Sequence, residues 1–121
     1  VGNTQKQGER HLHSKKETQS KLSKDLDIIA VLAKSLSDEN RLRILLCVGN
    51  GKKSVSRIVE ELDLSQPLVS HHLKELKRTL LVKVEREGPF IYYEMADKRI
   101  LNILKDLDLL GTDLLTQRKN F

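Results

Sequence analysis

The chain has 121 residues, 38% of them apolar, a net charge of +5 and a single cysteine, which suits about one domain with a modest core and excludes an internal disulfide framework. No apolar run approaches the roughly 18 residues that cross a bilayer, and the first 24 residues are polar, without the hydrophobic centre of a signal peptide. A soluble, cytoplasmic protein is expected, with helices packed on helices, because aromatics are only 3% and Leu, Ile and Val supply nearly all the apolar mass.

Positive charge is concentrated in two places: residues 1–24 carry +4 and residues 65–86 carry +3, while the two other stretches carry −1 each. A basic arm and a basic stretch within the folded region suit a polyanion such as nucleic acid, although a solvated tail and ordinary surface lysines give the same count. The segment "VGNTQKQGERHLHSKKETQSK" lacks apolar periodicity and is expected to form a flexible basic arm over residues 1–21; its missing initiator Met suggests processing or a cloning boundary.

From Leu22 onward, Leu22, Leu26, Ile29, Ala33 and Leu36 recur at three- and four-residue spacing and predict a first amphipathic helix. In "SDENRLRILLCVGNG" Ser37 is the expected N-cap, Asp38 and Glu39 occupy the first turn, Leu42, Leu45 and Leu46 point inward, and Gly49-Asn50-Gly51 stops the helix. Ser54 caps a short third helix, "VSRIVEEL", with Ile58, Val59 and Leu62 inside. A tight turn leads to Ser65, which caps a fourth helix that tolerates Pro67 in its first turn. The pair is a helix-turn-helix. Then "LLVKVEREGPFIYYEM" alternates on both sides of Gly88-Pro89 as a β-hairpin does, and a hairpin in this place is a wing. The expected fold is mainly α with a small hairpin: a winged helix-turn-helix domain over residues 22–118.

The remainder is a last helix whose apolar stripe, Ile100, Ile103, Leu104, Leu107, Leu110 and Leu114, is broader than a small domain buries. Either it packs on the first helix of its own chain, or Leu22, Leu26, Ile29, Ile103, Leu107, Leu110 and Leu114 form a dimer interface, the reading preferred here.

Within "SQPLVSHHLKEL" the fourth helix places Val69, Leu73 and Leu76 on its core face. Gln66, Ser70 and Lys74 lie on another face, with Pro67, His71 and Arg78 beside them, a polar and cationic surface able to meet base edges and phosphates. His72 flanks the core side and is expected to pack or position. Adjacent helical residues point about 100° apart, so His71 and His72 are poorly placed to share a metal ion.

Three segments, "AKSLSDENRLRILLCV", "LSQPLVSHHLKEL" and "VEREGPFIYYEM", resemble in order the second helix, recognition helix and wing of the ArsR/SmtB family of winged-helix repressors. The resemblance runs from about Lys24 to Leu115. It implies that Ser65, Gln66, Ser70 and His71 read or position DNA and that Arg86 and Gly88 place the wing at a minor groove. It also implies a homodimer that represses its own operon from an inverted-repeat operator until an effector binds.

The sequence departs from the family pattern at two points. Thr79, Leu80 and Leu81 stand where relatives often have a small residue and Gly before the wing. The cysteine-rich third-helix metal motif is replaced by "RIVEELDL", and the last-helix zinc site has no counterpart because no histidine follows His72. No metal site or cofactor is expected, and the signal is open: another ligand, redox chemistry at Cys47, a site using His11 or His13, or none. Cys47 is more simply a small core hydrophobe, His11 and His13 solvated arm residues, and Tyr92 and Tyr93 packing groups. Neither a phosphate loop nor a nucleophile–base pair suggests an enzyme. The alternative to DNA binding is a winged-helix module that contacts proteins.

Overall fold

The computed structural model describes residues 26–119; Leu22, His11 and His13 lie outside the described residues, as does any start of the first helix before Leu26. The chain divides into two units, with the boundary between Lys34 and Ser35. Helix α1 spans Leu26–Ser35, so that its last residue belongs to the second unit; Asp27 lies in its first turn and Lys34 in its last, the charge order that complements the helix dipole. Leu26, Ile28, Ile29 and Val31 are exposed along it.

The second unit runs in the order α2 (Glu39–Gly49), α3 (Val55–Leu62), α4 (Gln66–Arg78), β1 (Val82–Glu87), β2 (Phe90–Met95) and α5 (Arg99–Lys119). This is the expected winged helix-turn-helix order. One boundary moves: the N-cap of α2 is Asp38, not Ser37, with extended backbone and a carboxylate that accepts from the Arg41 N–H at 3.0 Å. Serine and aspartate cap about equally well, and the carboxylate adds a charge that the helix N-terminus favours. Gly51, at φ +141°, turns the chain out of α2.

The core is built from Ile44, Leu45, Cys47 and Val48 of α2, Ile58 of α3, Val69, Leu73 and Leu76 of α4, and Leu81 and Val82 at the start of the wing. Burying each large side chain is worth about 1.5–3 kcal/mol. Leu46, expected inside, is 44% exposed, because Ile44, Leu45 and Val48 define the core arc and the residue after Leu45 turns about 100° off it. Leu46 instead joins Leu36, Leu42, Leu101, Leu104 and Leu107 around an apolar cavity of about 460 Å³ between α2 and α5.

The wing pairs antiparallel from Val82↔Met95 to Glu87↔Phe90. Its two-residue loop needs a positive φ at the first position, which Gly88 supplies at +61° while Pro89 keeps its ring-fixed negative value. On its other edge β2 pairs with Lys53 of the α2–α3 loop: Lys53 N–H donates to the Tyr93 carbonyl at 2.9 Å and Tyr93 N–H returns a bond at 2.8 Å. The root of the wing is thus fastened on both sides.

Candidate nucleic-acid interface

Local chemistry sets the angle between α3 and α4. Ser54 caps α3 by accepting from the Arg57 N–H at 3.2 Å. Asp63 ends the helix in the left-handed region at φ 52°, ψ 47°, a conformation that Asp tolerates better than most residues. Ser65 then opens α4, its hydroxyl accepting from the Leu68 N–H at 3.4 Å. Pro67 sits in the first turn, where no helical partner is lost. Ser65, expected at the DNA, has its hydroxyl engaged in this cap.

Alpha-helical geometry sorts the rest of α4 into two arcs. Val69, His72, Leu73 and Leu76 are buried. Gln66, Pro67, Ser70, His71, Lys74 and Arg78 are exposed on the opposite arc, so the side chains singled out from the sequence stand together. Lys77 was missed: it is exposed and lies seven residues after Ser70, hence on the same arc. Arg78 is tied to Glu75 at 2.9 Å, and its guanidinium holds the Glu75 carboxyl below the ordinary range.

Arg86 and Gly88 are exposed on the wing. Glu85 and Glu87 flank Arg86 but point to the other face of the strand, where Lys52 bonds both carboxylates and lies 5.4 Å from the Tyr92 ring centre. Arg86 itself has no carboxylate partner among the described residues. With Lys52 and Arg86 set against Glu85 and Glu87, the wing tip carries no net charge, and Lys52 draws the two carboxylates to the face away from Arg86. Lys52 and Lys53 were not foreseen in these roles; the β-branched and aromatic hairpin gives no hint that a loop 40 residues away will pair with it.

Behind this surface, the Glu61 carboxylate accepts from Lys53 at 2.6 Å, Arg57 at 2.9 Å and the Cys47 thiol at 3.2 Å, and these donors, Lys53 first, pull its pKa down to about 2. Burial, reinforced by Glu61, pushes the Cys47 thiol up, against the opposing pull of Lys53. The reactive thiolate is therefore disfavoured at Cys47. Among the described residues, no group of three or more His, Cys, Asp and Glu side chains is placed to hold a metal ion. Nor is any described helix long and apolar enough to cross a membrane.

On α5, Ile103, Leu107, Leu110 and Leu114 are 52%, 52%, 54% and 54% exposed and follow one another at four-, three- and four-residue intervals, the spacing of a helix–helix seam. Leu26 and Ile29 of α1 are likewise exposed.

A helix-turn-helix whose second helix turns a polar, cationic arc outward, followed by a hairpin with an exposed arginine near its tip, defines a winged-helix DNA-binding protein. Residues 38–84 match the family described as bacterial regulatory protein, arsR family. A helix-turn-helix-type transcriptional regulator of Methanocaldococcus jannaschii is 40% identical over 80 residues, covering 65% of this chain and 90% of that protein. The transcriptional repressor SmtB of Mycobacterium tuberculosis is 36% identical over 81 residues, 67% of this chain and 60% of the repressor's length. Among solved structures, a homodimeric winged helix-turn-helix DNA-binding domain from Mycobacterium bovis, described as a possible ArsR-family regulator, superposes with a TM-score of 0.68 at 26% identity, covering 76% of this chain and 85% of that one. The chain belongs to the arsR family of regulatory proteins and is a DNA-binding transcriptional regulator.

Proposed function

We propose that two copies of the chain bind an inverted-repeat operator and repress transcription by occupying it. The observation that carries this reading is the division of α4, with Gln66, Ser70, His71, Lys74 and Lys77 turned to solvent while Val69, His72, Leu73 and Leu76 are buried beneath them. Hydroxyl, amide, imidazole and ammonium groups on one helical arc match base edges and phosphates in a major groove. Arg86, with Gly88 at the hairpin tip, contacts the flanking backbone or minor groove.

The dimer uses Ile103, Leu107, Leu110 and Leu114 of α5 with Leu22, Leu26 and Ile29 from the first helix; its two-fold axis sets the symmetry of the operator. Residues 1–21 form an arm outside a domain spanning residues 22–118, and the protein acts in the cytoplasm without catalysing a reaction. Release follows a signal other than thiolate or histidine metal binding at the third and last helices. A protein-docking role for the same face is disfavoured by the cationic arc of α4.

The test is to select bound sequences from random duplex DNA and to measure the salt dependence of binding. Enrichment of an inverted repeat, with affinity falling steeply as salt rises, supports the reading. No enrichment, with salt-insensitive binding, rejects it.

A further inference from the structure

Beneath the DNA-facing arc of α4, His72 is 6% exposed. Its Nδ1 is buried without a hydrogen-bond partner, and its Nε2 faces Asp38 Oδ1 at 3.8 Å. That distance is longer than a hydrogen bond, and a shift of about 1 Å closes it. Asp38 is the N-cap of α2. The same corner holds a second tie to α4: Arg41 Nε donates to the Ser35 carbonyl at 2.7 Å, and the Ser35 hydroxyl meets that of Thr79, the C-cap residue of α4, at 3.0 Å.

Apart from the Ser35–Thr79 bond at its C-cap, the side chains that hold the body of α4 against the core, Val69, Leu73 and Leu76, are apolar. Apolar contact is not directional, so it fixes the rotation of a helix through the fit of side-chain shapes alone. A buried polar group adds a direction. It lowers stability when incompletely bonded, yet it favours the one setting in which its partner is opposite it. An apolar side chain at position 72 would fill this space without an orphaned ring nitrogen, so the imidazole's presence needs a reason other than stability.

The geometry points to His72 and Asp38 as a positioning pair that sets the rotation of the recognition helix, so that its outer arc meets base edges in register. His72 touches no DNA in this arrangement; it acts through the angle at which Gln66, Ser70 and His71 are presented. This inference rests on the DNA-binding reading above.

The experiment uses the full chain and the duplex it selects from random DNA, and reads the ratio of affinity for that duplex to affinity for scrambled duplex, with thermal midpoints alongside. His72→Leu is expected to lower the ratio by about tenfold or more, the scale of one good base contact, while the midpoint holds or rises. Asp38→Asn keeps the α2 cap, because Asn and Asp cap equally well, and is expected to lower the ratio similarly; it carries the test if His72→Leu does not fold. His72→Gln retains an N–H able to reach Asp38 and should keep most of the ratio. The double variant His72→Leu/Asp38→Asn should fall no further than either single one.

Full retention of the ratio in either single variant overturns the pair, as does a loss in His72→Gln equal to that in His72→Leu, or multiplied losses in the double variant. A wild-type chain that enriches no sequence rejects the DNA-binding reading itself, and the pair with it.

Discussion

Leu81 donates its backbone N–H to the carbonyl of Leu76 at 2.9 Å, while Leu80 donates to Lys77 at 3.0 Å. These paired bonds close α4 in a Schellman motif, with Leu76 and Leu81 buried together at its base. The motif demands a left-handed residue, and Leu80 occupies it at φ 65°. The junction that departs from the family pattern therefore keeps the glycine geometry without the glycine.

Leu80→Gly should accordingly stabilise the protein. A non-glycine residue in this region costs about 1–2 kcal/mol, and the freer unfolded chain of glycine returns about 0.5–1 kcal/mol of that. Leu80 is 79% exposed, so little packing is lost. A gain of about 0.5–1 kcal/mol is expected in denaturant unfolding; a loss would mean that the Leu80 side chain supports the fold in a way its exposure does not suggest.

Stability should also depend on pH through His72. Burial, the largest cause, lowers its pKa below the ordinary 6.5; Arg41 and His71 act in the same direction, and Asp38 and Glu75 oppose it. The unfolded chain therefore takes up this proton at a higher pH than the folded one. Stability rises with pH across the window between the lowered folded value and 6.5, and falls as acid is added through it. Thermal midpoints measured between pH 7 and 5 should decline for wild type and decline less for His72→Leu. Equal slopes would remove His72 from the account.

Replacing Gln66, Ser70 or His71 by Ala should weaken specific DNA binding by about 1–3 kcal/mol without unfolding the chain, since all three are exposed. Arg86→Ala should instead weaken binding to every sequence and reduce the salt slope by about one unit, as loss of one phosphate contact does. Unchanged affinity in the three α4 variants would displace the interface from α4.

The helices and the wing were legible because their signals are local: Ser54 and Ser65 stand where caps belong, and Gly88-Pro89 marks a two-residue hairpin loop. The two arcs of α4 follow from the 3.6-residue period alone. What stayed hidden depends on residues distant in sequence. Nothing local says that Lys53 will bridge to Tyr93, that Lys52 will bond both Glu85 and Glu87, or that Asp38 will face His72 across two helices. Leu46 was misplaced for a related reason: a run of adjacent leucines fits several helical faces, and only the packed partners choose among them.

The seam on α5 makes a prediction about assembly. Leu107→Glu or Leu110→Glu places a carboxylate in the proposed interface, where desolvating an unpaired charge is costly. Sedimentation should then show a monomer or an aggregate where wild type is a dimer, and half-site centres in the selected DNA should lie about 34–36 Å apart. A wild-type monomer at micromolar concentration contradicts both statements.

The last prediction concerns the signal. Soft metals require several thiolate or imidazole ligands within about 2.0–2.3 Å of the ion. Each chain carries one cysteine, and its thiol is buried against Glu61 and Lys53. No histidine follows His72, and α5 offers only carboxylates, Asp106, Asp108 and Asp113, which suit hard ions. Stoichiometric zinc, cadmium or arsenite should therefore leave the protein on its selected DNA. If one of them causes release, removing residues 1–20 tests His11 and His13, and Cys47→Ser tests the thiol. Release that persists at unchanged metal affinity when both changes are combined would refute the absence of a third- or last-helix sensor, because it would require a ligand set among α1 to α5 that these side chains do not supply.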